Sequence, residues 1–231
     1  MKAAQHWQSS LTACLAATLL LISTAATPQA APARRQASAA AKQSAPATHL
    51  LHLTAVRLEG SGWTDRRVLD AVRGARRVLA RCGVKLERVE LVTLAVPPNL
   101  LDFSRPVARE LVRDYRVTRP AAYFVRDTLS SPALDAEAIG HSNSGTTPAL
   151  ANTVWMTAAI RDPGIALAHE LAHVLMDSGD HSDEPGNLMR EETSARNTAL
   201  TPVQCARMRE AAVRHRLLKE TPPRRSSRGR R

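Results

Sequence analysis

Two histidines four residues apart, with a glutamate directly after the first, carry the sharpest chemical signal in the chain: His169-Glu170-Leu171-Ala172-His173. The motif lies inside IALAHELAHVLM, a run of helical rather than strand character. Four residues is little more than one helical turn, so both imidazoles project from one face and can share a metal ion. Glu170 is offset by one residue, which lets its carboxylate reach a water at the metal instead of the metal itself, as a general base must. Zn²⁺ suits such nitrogen ligands, and a catalytic zinc site keeps three protein ligands and a water. The ion lowers the pKa of that water toward 7 and polarises a scissile carbonyl. The expected chemistry is amide hydrolysis without a covalent intermediate, with one catalytic Zn²⁺ as cofactor and protein or peptide as substrate.

The third ligand is open at this level. After Leu175 and Met176 the sequence becomes Asp177-Ser178-Gly179-Asp180-His181, so the helix is expected to stop near Gly179 and return the chain toward the metal with His181. Asp177, Asp180 and Asp183 either orient imidazoles or form a solvated acidic turn. Glu192, nineteen residues after His173, is the competing ligand, although the intervening GDHSDEPGN reads as loop. His49, His52, His141 and His215 read as ordinary surface or core histidines.

Through His169, Glu170, His173, Gly179, His181 and Met189 the chain resembles the metzincin clan of zinc peptidases, whose pattern is H-E-x-x-H-x-x-G-x-x-H followed by a methionine-containing turn. The resemblance extends to the order of elements over about residues 50–218. It implies an α+β fold with a mixed twisted sheet backed by helices, His181 as third ligand, and Met189 as a hydrophobic floor that does not coordinate. It also implies a substrate lying extended along an edge strand, paired through main-chain hydrogen bonds. Two departures stand out: His181 follows His173 by eight residues where the clan has six, which requires a longer turn, and no tyrosine follows Met189. A thermolysin-like gluzincin would instead recruit Glu192 from a second helix.

The supporting elements follow from periodicity and punctuation. A first strand is expected over Leu50–Leu58. A helix capped by Thr64 should run to about Arg81, with Val68, Leu69, Val72, Val78 and Leu79 as its apolar stripe and Gly83 ending it. Lys85–Val96 should be a strand stopped by Pro97-Pro98, and Ser104 and Pro106 open a helix to about Tyr115. Short strands are expected at Ala121–Val125 and Asn152–Thr157, with an edge strand around Ala138–His141. Thr201, Pro202 and Gln204 form a capping-box opening for a last helix to about Leu218.

The net charge of +11 belongs to the ends. Residues 1–47 carry four Lys/Arg and no acid, and residues 214–231 carry eight against Glu220, whereas residues 48–213 hold 20 of each sign. A neutral body argues against nucleic-acid binding through the folded face, and only the basic tail could touch an anionic surface. Residues 1–26 read as a signal peptide: Lys2, an apolar run from Leu11 to Ile22 too short to span a bilayer, then small residues. Residues 27–48 are an Ala/Pro/Ser linker, 49–219 the catalytic domain and 220–231 a polar basic tail. No transmembrane segment is expected after signal removal, and the destination is the periplasm or the medium. Signal removal leaves Cys82 and Cys205, either bridged or as two separate thiols. The competing functions are a zinc-containing binding module for extended protein segments, against which Glu170 speaks, and a role located in the tail.

Overall fold

The computed structural model describes residues 48–129, 136–144 and 147–221. The expected signal peptide, most of the linker and the end of the basic tail lie outside them. Six strands form one mixed sheet: β1 (Thr48–Leu58), β2 (Val84–Leu94), β3 (Ala121–Phe124), β4 (Ala136–Ile139), β5 (Thr153–Met156) and β6 (Leu218–Thr221). The order is β2-β1-β3-β5-β4, with β6 also pairing β1. Strands β1, β2, β3 and β5 run parallel. β4 lies antiparallel on β5 at the sheet edge, and β6 lies antiparallel on the start of β1.

Parallel neighbours need crossovers, and the first two helices supply those from β1 to β2 and from β2 to β3; the described residues form four α-helices. They are α1 (Asp65–Leu79), α2 (Arg105–Asp114), α3 (Pro163–Met176) and α4 (Pro202–Arg214). The inner strands β3 and β5 are buried throughout and β1 over most of its length, so their odd and even positions feed two cores. Leu51, Leu53 and Ala55 of β1 join Phe124, Val154 and Met156 beneath α1, α3 and α4. Val56 and Leu58 join Tyr123 and Trp155 against Ala108, Leu111 and Val112 of α2.

Local signals set the helix starts. Thr64 accepts from the Arg67 N–H, Ser104 from the Val107 N–H, and Thr201 and Gln204 form the full reciprocal capping box. Three expectations are corrected. Leu69 does not join the buried stripe of α1; it is 36% exposed, and its place is taken by Ala71, Gly74 and Ala75. The last helix ends at Arg214 rather than near Leu218, because Arg216 adopts a left-handed φ of 59° and Leu218–Thr221 turns back to pair with β1. The edge strand runs two residues earlier than expected.

The small residues of α1 let it approach α3 closely. A Cβ on Gly74 would stand 2.7 Å from the Cα of Gly164, and one on Gly164 would stand 2.9 Å from the Cα of Gly74. Backbone, not a flexible side chain, is in the way. Gly74→Ala is therefore expected to cost about 1–3 kcal/mol through overpacking, although alanine is the better helix former. Denaturant unfolding checks this, and an unchanged midpoint would show that the two helices separate freely.

Cys82, at the end of the turn after α1, is bridged to Cys205 on α4, with the Cα atoms 5.0 Å apart. The bridged alternative is the one present.

Candidate metal centre

Helix α3 is apolar nearly all round, and every residue from Ala166 to Met176 is buried. His169, Glu170 and His173 therefore enter the protein on a rigid, fully packed element. The helix ends at Met176, three residues before the expected Gly179. Asp177 takes the left-handed conformation at φ 50°, its N–H caps the carbonyls of His173 and Val174, and Ser178 N–H reaches the His173 carbonyl at 3.2 Å. Aspartate is among the few residues that tolerate this geometry. Gly179 is not needed for the turn: its φ is not left-handed, and a Cβ there would meet nothing within 4 Å.

The longer turn still returns His181 to the helix. One nitrogen from each of His169, His173 and His181 lies within 4.8 Å of the others. Both helical histidines are buried, whereas His181 is exposed on the cleft side. Glu192 does not join them; its carbonyl accepts from Asn197 Nδ2 at 2.9 Å.

Main-chain carbonyls orient the two helical imidazoles. His169 Nδ1 lies 2.7 Å from the carbonyl of Leu188, and His173 Nδ1 lies 2.7 Å from that of Ser178. A carbonyl can only accept, so each Nδ1 carries the proton and each Nε2 is left with a lone pair. The two Nε2 atoms stand 2.9 Å apart. Burial lowers the pKa of both rings, that of His173 to about 4, so neither is protonated at neutral pH. Two lone pairs facing each other at that distance repel unless a cation lies between them. The three-imidazole donor set and its spacing fit an ion that takes nitrogen at about 2.0–2.1 Å, as zinc does.

Glu170 is 7% exposed, and burial, with a smaller contribution from the nearby Glu137 carboxylate, pushes its pKa up to about 8. With the three histidines it lines an open cleft of about 280 Å³, whose far wall is Ala136, Glu137 and Ala138 of the edge strand β4.

The methionine turn fixes His169. Asn187 Oδ1 accepts from Met189 N–H at 2.9 Å, Asn187 Nδ2 donates to Gln204 Oε1 at 3.0 Å, and Leu188 N–H donates to the Ala199 carbonyl at 2.6 Å. Met189 and Leu188 are both buried in the larger core. Gln204 reads from sequence as a helix cap alone, and Asn187 carries no assigned role there; an asparagine close before the methionine, ahead of a glutamine-capped helix, is the signal for both. The aspartates do other work than orienting these rings. Asp177 accepts from the Ser142 N–H at 2.7 Å and from its hydroxyl, and stands 3.3 Å from His215 Nε2. Asp180 accepts from Ser178 and Arg207. His141 stacks on His215 with centroids 4.6 Å apart, away from the histidine trio. Asn187→Ala is expected to weaken metal binding about 10–100-fold by loosening the turn that carries the Leu188 carbonyl. Chelator competition reads this, and an unchanged affinity would remove Asn187 from the support of the site.

Comparison with solved structures finds metalloproteinase-II from Bacteroides fragilis, with a TM-score of 0.52 at 16% sequence identity, over 72% of this chain and 54% of that one. The two share a fold. The chain thus spans about half the length of that structure, and at this identity the likeness concerns architecture alone. No family model and no curated protein matches the sequence.

Proposed function

We propose that this chain is an exported, zinc-dependent endopeptidase of the metzincin type, with His169, His173 and His181 holding the ion and Glu170 as general base. The observation that carries the reading is the convergence of three imidazoles on one point beside a buried glutamate, in a cleft bordered by an edge strand. Structural zinc needs no carboxylate at that position, which disfavours a pure binding module.

Bound zinc would polarise the scissile carbonyl and make an attacking water more acidic. The residues do the rest. The carbonyls of Leu188 and Ser178 hold the Nδ1 protons of His169 and His173, keeping Nε2 free for the ion. Glu170 takes a proton from the water at its carboxylate and delivers it to the leaving amine. Among the described residues β4 lies at the sheet edge on β5, and a peptide laid extended along this wall of the cleft would align its scissile bond beside Glu170. Among the described residues no helix is long and apolar enough to cross a membrane. Export rests on the N-terminal sequence.

The test is metal analysis on the mature protein, with His181→Ala and Glu192→Ala beside wild type. Wild type should hold one zinc, His181→Ala should lose affinity by orders of magnitude, and Glu192→Ala should match wild type. Loss in the Glu192 variant alone would move the site to the gluzincin arrangement, and no zinc in wild type would end the proposal.

A further inference from the structure

The walls of the cleft bear on what it accepts. Besides the histidine trio and Glu170, its ionisable lining residues are Glu137 and Glu191, and among the described residues no lysine or arginine lines it. This is not the average of the molecule, since residues 48–213 carry 20 basic and 20 acidic side chains. The two glutamates differ. Glu137 is 18% exposed and already paired with Arg105 at 2.9 Å. Glu191 is exposed and has no ion pair among the described residues. Its neighbour Arg190 does not compensate it, because that guanidinium donates to the Asp183 carbonyl at 2.8 Å. The unbalanced negative charge of the cleft therefore sits on Glu191.

Its place is fixed by the same turn that fixes the histidines. Glu191 follows Met189 by two residues, and Ser182 N–H donates to the Met189 carbonyl at 2.8 Å, tying this strand of the turn to the residue after His181. Opposite, Ala136 and Ala138 leave the wall of β4 low, and nothing stands within 4 Å of where a Gly179 side chain would begin. The cleft has space for a long side chain and a carboxylate at its rim to meet a charge.

We propose that Glu191 is a specificity-determining residue that selects substrates with a lysine or arginine beside the scissile bond. This rests on the peptidase reading for the placement of the peptide. A long cationic side chain lays its methylenes along the alanines of β4 and brings its head group to Glu191, where a close pair in a half-open cleft discriminates by about fivefold or more. An acidic side chain at the same position meets Glu191 and Glu137 together and is rejected.

Binding tests the proposal independently of turnover. Zinc-loaded Glu170→Gln protein is titrated against labelled hexapeptides carrying one Lys, Leu or Glu scanned through the four central positions, with affinities read by fluorescence anisotropy. At one position the lysine peptide should bind at least about fivefold tighter than the leucine peptide, and the glutamate peptide weakest. Adding Glu191→Gln should bring lysine and leucine within about twofold, and Glu191→Lys should reverse the order. Equal binding of lysine and leucine peptides, no measurable binding of the lysine peptide, or a preference that survives Glu191→Gln would each overturn it. Cleavage by wild type is scored separately: no peptide cut would count against the peptidase reading, whatever the affinities show.

Discussion

Glu170→Gln should retain one equivalent of zinc and lose peptide hydrolysis by about 10²–10⁴-fold, the range that general acid–base groups supply. The substitution is close to isosteric, and it copies a state the metal-free protein already occupies. With its pKa at about 8, the buried carboxyl is protonated at neutral pH, whereas in the unfolded chain it ionises near 4.5. A folded-state pKa above the unfolded one favours folding at low pH, and that contribution is lost as pH rises from about 4.5 through 8. His169 and His173, with lowered pKa values, contribute in the opposite sense in both proteins, so metal-free wild type should lose stability across this window relative to the Gln variant. Thermal melts of both metal-free proteins at pH 5 and pH 8.5 measure the difference. Parallel pH profiles would show that Glu170 is not the buried acid described; a fully active Gln variant would remove it from catalysis.

Removal of the Cys82–Cys205 bridge should produce the largest change in stability. The bond joins residues 123 apart, and the chain-entropy model gives about 4–5 kcal/mol for a loop of that length, with measured values for native disulfides near 2–5 kcal/mol. Both cysteines are buried, so Cys82→Ala with Cys205→Ala avoids placing hydroxyls in the core. Equilibrium denaturation of the double variant against the oxidised wild type reads the effect, and a difference under about 1 kcal/mol would mean that the unfolded chain gains little from the release. The effect should reach the metal centre. Cys205 is adjacent to Gln204, whose side chain holds Asn187 and through it the turn beside His169. Zinc affinity should fall in the same variant.

Much of this was legible because it is local. The spacing of His169, Glu170 and His173 needs only a helix to become a site, and Thr64, Ser104 and Thr201 announce helix starts with side chains that reach three residues. What escaped depends on the main chain or on distance. The acceptors that orient the imidazoles are the carbonyls of Leu188 and Ser178, and a carbonyl is common to every residue. Glycine is the usual left-handed residue and points to Gly179 as the helix stop, yet Asp177 takes that conformation and secures it through Ser142, 35 residues away. Strand β6 is hidden because only Leu218 of its four residues is apolar, so Lys219, Glu220 and Thr221 read as the end of the helix and the start of the tail; only its pairing with β1 reveals it. The cysteine pairing was likewise a matter of tertiary proximity.

That pairing of first and last strands closes the folded body on itself. Thr48 lies opposite Thr221, so the described domain begins and ends at neighbouring positions on one corner of the sheet. A short bridge across that corner would join the ends without spanning the molecule, and new termini could be opened in an exposed loop, as circular permutation requires. Chain attached before Thr48 or after Thr221 would meet the domain at this one corner. A tether fused at either end would therefore hold the domain by the same handle.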